Sequence, residues 1–109
     1  MAHEKYQECI DACNECMTAC EHCATECLQE EDVKAMAHCI ELDHACATVC
    51  AFAARLMSSG SKFAPKACKL CAEICRACAD ECAKHMHKHC KECADACRKC
   101  ADACSRMAA

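Results

Sequence analysis

Residues 9–27 read CIDACNECMTACEHCATEC, and within them Cys9, Cys13, Cys16, Cys20, Cys23 and Cys27 are separated by steps of 4, 3, 4, 3 and 4. Alternating threes and fours mark the a and d positions of a heptad, the stripe that a helix turns toward its partners in a bundle. Apart from Ile10 and Met17, the residues between the cysteines are polar or small. The stretch therefore reads as an amphipathic helix in which cysteine stands where leucine ordinarily does.

The same ladder recurs further along. Cys68, Cys71, Cys75, Cys78 and Cys82 step 3, 4, 3, 4, and so do Cys90, Cys93, Cys97, Cys100 and Cys104. A sparser block, Cys39, Cys46 and Cys50, fits the same repeat. Between the first two blocks Gln29-Glu30-Glu31-Asp32 is polar, with Asp32 placed to cap the second helix. Ser58-Ser59-Gly60 ends that helix, Gly60 serving as its C-terminal cap, and Pro65 suits the first turn of the third. No breaker divides the last two blocks, but from Cys82 to Cys90 the cysteine phase slips by one residue. One helix from Pro65 to Met107 would be about 65 Å long and would leave half its stripe in water. A tight turn near Lys84 to Lys88 gives four helices of similar length instead. The expected fold is all-α: a single antiparallel four-helix bundle over residues 1–109, with cysteines lining its interior.

Composition agrees. The 109 residues include 19 cysteines but one glycine, one proline and three aromatic side chains. Secreted disulfide scaffolds are loop-rich, and an odd cysteine count cannot pair completely within the chain. Nothing near the N-terminus reads as an export segment, and no run approaches the roughly 20 apolar residues of a membrane span. The expected setting is the cytosol, where thiols stay reduced. A net charge of −4 with interspersed signs argues against nucleic acid as a partner.

Stacking the helices up-down-up-down puts the heptad positions in layers roughly 5 Å apart. Tyr6, Met57, Ala64 and Met107 close one end. Then follow Cys9, Ala53, Cys68, Cys104; Cys13, Cys50, Cys71, Cys100; Cys16, Cys46, Cys75, Cys97; Cys20, Asp43, Cys78, Cys93; and Cys23, Cys39, Cys82, Cys90. Cys27, Met36, His85 and Met86 form the far end. Alanines such as Ala12, Ala19, Ala24, Ala72, Ala79, Ala94, Ala96, Ala101 and Ala103 flank the seam and allow close helix approach. Leu42, Val49 and Leu56 repeat every seven residues outside it, either as a side of the core or as a subunit contact.

A lone buried cysteine is ordinarily a small hydrophobe. Nineteen in phase are a poor core, because each buries less area than leucine would. Cysteines three or four apart on one helix project nearly parallel and resist disulfide geometry. A reactive CxxC belongs at a helix N-terminus, not buried in mid-helix. Metal binding remains. Thiolates suit Cu(I), Zn(II) and iron–sulfur clusters, and the last sit in loops with glycine and proline. A tetrathiolate zinc site carries two negative charges, which is costly to repeat along a dry axis. Cu(I) accepts two or three thiolates, and bridging sulfurs allow a nearly neutral core with about one copper per thiolate. A zinc or mixed-metal thiolate buffer is the alternative, and a thiol-redox enzyme a more distant one. No nucleophile with an oriented base, open metal triad or phosphate loop is recognisable, so catalysis is not expected.

These ladders resemble the bacterial copper storage proteins, four-helix bundles whose interior cysteines hold many Cu(I) ions. The resemblance spans the chain and points to the cytosolic branch. It implies a tetramer of bundles, copper as cargo delivered by a chaperone or chelator, and all 19 cysteines as ligands, with Met and His assisting at a mouth. His85 and His89 share a face there and are the candidate nitrogen ligands; Met36, Met57 and Met107 are candidate thioether relays, with Met86 and Met17 behind them. His87 is expected in solvent, as are His3, His22, His38 and His44. Asp43 has two readings, an auxiliary ligand or proton acceptor, or a solvated residue on a slightly rotated helix that turns Leu42 inward. The second is preferred.

Overall fold

The computed structural model describes residues 2–108, with side chains from Glu4 onward, so His3 lies outside the described side chains. Four helices form: α1 (Ala2–Cys27), α2 (Ala37–Ser58), α3 (Ala64–Cys82) and α4 (Lys88–Met107), with a 3₁₀ turn at Val33–Met36. Each packs against its neighbours in sequence and α4 returns against α1, giving a square up-down bundle of 48 × 18 × 18 Å. No strand occurs among the described residues.

The turns follow local chemistry. At the end of α2, Gly60 has φ 67°, a value glycine adopts without steric cost. Its N–H donates to the carbonyl of Met57 and that of Ser61 to Leu56, which is the two-bond Schellman closure. Pro65 lies in the first turn of α3, where no backbone donor is needed. The α3–α4 turn spans residues 83–87, as the phase slip requires. Asp32 departs from expectation. Its carboxylate accepts from the Ala35 N–H at 3.3 Å and so caps the 3₁₀ turn, while α2 begins one turn later without a side-chain cap. The polar break supplied a capping residue, but four further residues were needed to bring Met36 into the core.

Every cysteine is buried, at 0% exposure except Cys9 at 3%. Of the alanine flanks named above, all are buried except Ala19 and Ala96, which are only partly so. Val49 is buried and Leu42 and Leu56 pack partly buried against the same cluster, so this stripe is a side of the core. The preferred reading of Asp43 is overturned: it is fully buried, and Leu42 only half so. Asp43 occupies a strict heptad position on α2, and the surrounding S–H groups satisfy it, so the helix has no need to rotate. Met86 is also corrected. It is 80% exposed at the tip of the α3–α4 turn, where the chain has left helical phase.

Candidate metal centre

The register of layers is confirmed by contacts between sulfurs. Cys9 and Cys104 lie 3.5 Å apart, Cys13 and Cys100 3.7 Å, and Cys50 lies 3.8 Å from Cys71 and 3.9 Å from Cys100. In the central layer Cys46 is 3.7 Å from Cys16, 3.5 Å from Cys75 and 3.8 Å from Cys97. Nearer the far end Cys20 meets Cys93 at 3.6 Å, and Cys39 meets Cys82 at 3.3 Å. All are free thiols.

Sulfurs sharing a trigonal metal ion with bonds of about 2.3 Å stand about 4 Å apart, so this core already has nearly the spacing a thiolate cluster needs. Several quartets offer four sulfurs within 4.8 Å of one another, among them Cys13, Cys71, Cys100 and Cys104, and also Cys23, Cys27, Cys39 and Cys90. Two others, Cys16–Cys46–Cys50–Cys75 and Cys16–Cys20–Cys46–Cys97, share members. Discrete closed sites would not overlap in this way. A column of shared sulfurs suits bridged clusters.

One oxygen donor interrupts the column. Asp43 Oδ1 accepts from Cys93 at 3.2 Å, Cys78 at 3.3 Å and Cys82 at 3.6 Å, and Oδ2 from Cys39 at 3.9 Å. Burial, with the neighbouring Cys93 and Cys78 sulfurs, pushes its carboxyl up to about 10. The shift favours the neutral acid in the metal-free protein.

The two ends differ. Tyr6, Met57 and Ala64 are buried at one, with Met107 half-buried beside them. At the other, His89 reaches the last thiols: its Nδ1 is 3.5 Å from Cys90, 3.6 Å from Cys23 and 3.8 Å from Cys27. Burial pushes the Cys90 thiol up to about 11, with Cys39 adding to the shift, and burial likewise raises Cys27. His89 Nε2 lies 2.8 Å from Glu30 Oε2. His85 behaves differently, its Nε2 being held by Glu81 Oε2 at 3.0 Å. Burial works against ionisation of Glu81, yet hydrogen bonds from His85 and Lys84 outweigh it and keep its carboxyl below the usual range. Met36 is buried here, and a hollow of about 400 Å³ lined by Glu30, Glu31, Asp32, Met36, His85 and His87 opens to solvent.

His22, His38 and His44 are exposed as expected, but His87 is not free in solvent. Its ring stacks on that of His89, centroids 5.3 Å apart, and its Nδ1 lies 3.4 Å from Glu30 Oε2. Glu30 and Glu81 had not been singled out from the sequence. Glu81 is four residues before His85, a helical spacing that would have found it; Glu30 lies in a connection, where periodicity carries no signal.

A bundle with a thiol-filled axis and one histidine-bearing mouth defines a multi-metal thiolate protein. The chain belongs to the copper storage protein family, whose sequence profile matches residues 2–109. It is 50% identical to the Cu(I)-bound copper storage protein BsCsp3, covering 95% of this chain and 99% of that one, with a TM-score of 0.91. The metal-free copper storage protein 3 of Bacillus subtilis is similar at 48% identity over 94% of this chain and 98% of that one, TM-score 0.88. A cytosolic copper storage protein from Streptomyces lividans, carrying five coppers, is 39% identical over 98% of this chain and 94% of that one, with a TM-score of 0.93. An uncharacterised cysteine-rich protein of Bacillus subtilis, YhjQ, is 50% identical over 85 residues, which is 77% of this chain and 79% of that one. Family and neighbours speak for copper storage, and the zinc alternative finds no support in them.

Proposed function

We propose that residues 1–109 form one metal-binding domain that stores many Cu(I) ions in the cytosol, with all 19 cysteines as ligands. The overlapping sulfur quartets carry this reading, because shared sulfurs let Cu(I) and thiolate accumulate in near-equal numbers without net buried charge. Each thiol that binds exchanges its proton for copper, and the proton leaves to water. His89 is the nitrogen donor at the entrance, and His85, on Glu81, stands beside it as a capture group. Met36 is the nearest thioether. Asp43 is available as an oxygen donor inside the column. Copper arrives from a chaperone or small chelator, and the bundles associate as a homotetramer. A storage role needs no turnover, and none of the site's groups is assigned a catalytic part. Nucleic acid and membrane are not expected partners; no helix among the described residues is long and apolar enough to cross a membrane.

Anaerobic titration of reduced, metal-free protein with Cu(I) against a competing chelator is the test. The expected result is tight uptake of about one copper per cysteine or more, with helical circular dichroism retained. Saturation at one or two coppers per chain, or displacement by zinc at about one metal per four thiols, would sink copper storage.

A further inference from the structure

The entrance histidine is held from behind by a group that belongs to neither metal nor thiol column. A carboxylate only accepts hydrogen bonds, so the 2.8 Å contact between Glu30 Oε2 and His89 Nε2 requires the proton on Nε2. The neutral ring then carries its lone pair on Nδ1, the atom that faces Cys23, Cys27 and Cys90 at 3.6, 3.8 and 3.5 Å. His87 packs on the same assembly, stacked within 3° of parallel on His89 and with its own Nδ1 3.4 Å from the same oxygen. Glu30 comes from the α1–α2 connection, His87 from the last residue before α4 and His89 from that helix's first turn, so the carboxylate clamps two separate segments across the mouth.

We propose that Glu30 is the positioning residue for copper entry: it fixes the Nε2–H tautomer and ring orientation of His89, so that a Cu(I) ion meets the Nδ1 lone pair and passes to the Cys23, Cys27 and Cys90 sulfurs. The Cu–N bond forms from the Nδ1 lone pair. Transfer to sulfur breaks it, forms a Cu–S bond and releases the thiol proton to water. The inference rests on the copper-storage reading.

Two measurements test it separately. In metal-free protein, long-range ¹⁵N–¹H correlation spectra should show His89 as a single Nε2–H tautomer, turning into a mixture in Glu30→Ala and remaining single in Glu30→Gln, whose amide oxygen still accepts. In anaerobic stopped-flow loading with Cu(I), Glu30→Ala should slow the first coppers by about tenfold with final capacity unchanged, and Glu30→Gln should recover most of the rate. Wild-type rate and tautomer in Glu30→Ala would overturn the assignment while leaving storage intact. A Glu30→Gln variant as slow as Glu30→Ala would also overturn it, because charge and not orientation would then govern entry. Failure of the wild-type chain to load copper would instead overturn the storage reading.

Discussion

The two ends of the bundle are built from the same four helices, yet they solve opposite problems. One is closed by Tyr6, Met57, Ala64 and Met107, largely apolar groups on the heptad seam that leave only Cys9 slightly exposed. The other is crossed by two connections, residues 28–36 and 83–87, which carry Glu30, His85 and His87, while the adjoining helix ends supply Glu81 from α3 and His89 from α4 over the last thiols. Where the seam runs on, the column is sealed. At these two reversals, unlike the 59–63 turn at the sealed end, polar groups are set over the axis. On the proposed function, access to the buried column is decided where the connections meet the helix ends, not along the helices.

The contrast can be broken from either side. The largest effect is expected at the sealed end. Met57 is fully buried, and Met57→Ala should cost about 2–5 kcal/mol of metal-free stability, read by denaturant unfolding under reducing conditions, with loading through the histidine mouth unslowed. If loading changes instead, the apolar end is a second entrance. At the mouth, His89→Ala should slow Cu(I) uptake by about ten- to a hundredfold in anaerobic stopped-flow, with global stability hardly altered. Equal rates in wild type and variant would remove the functional distinction between the ends.

A pH-dependent effect sharpens the picture between them. Asp43 has its folded carboxyl raised to about 10 from an ordinary 3.8, so between those values the folded state holds a proton that the unfolded state has lost. Its contribution to stability is full below about pH 4 and falls as pH rises toward 10, by at most about 1.4 kcal/mol per pH unit. In metal-free protein, Asp43→Asn should flatten that fall between pH 5 and 8, the range over which unfolding would be followed at roughly one-unit steps. An unchanged slope would mean that the carboxyl is not protonated in the core. Smallest is the turn beside the seal: Gly60→Ala should cost about 1 kcal/mol, because alanine resists the positive φ. Thermal unfolding of the two chains would measure it, and no loss would show that the turn relaxes freely.

Much of this was legible because cysteine itself marks the heptad. With a distinctive residue at nearly every a and d position, the layers Cys16–Cys46–Cys75–Cys97 and Cys23–Cys39–Cys82–Cys90 could be written down before any coordinate. Asp43 was misjudged where two rules conflict. Heptad phase places it inside, but hydrophobicity prefers its neighbour Leu42, and only the geometry of Cys39, Cys78, Cys82 and Cys93 supplies the donors that let phase win. Met86 and Asp32 failed for the opposite reason. Each lies where the chain leaves the repeat, and extrapolating the repeat said nothing about which way the backbone would turn. Glu30 belongs to the same class: its partners are 57 and 59 residues away and share no period with it.

The near-complete burial of the thiols has a consequence for the empty protein. An alkylating reagent in solution can reach Cys9 only slightly and the other cysteines not at all until some part of the bundle opens. Each sulfur thus records how often its own stretch of helix comes loose. Mass spectrometry of partly alkylated chains would convert the ladder into a map of local opening rates along the axis, with nineteen reporters already in place.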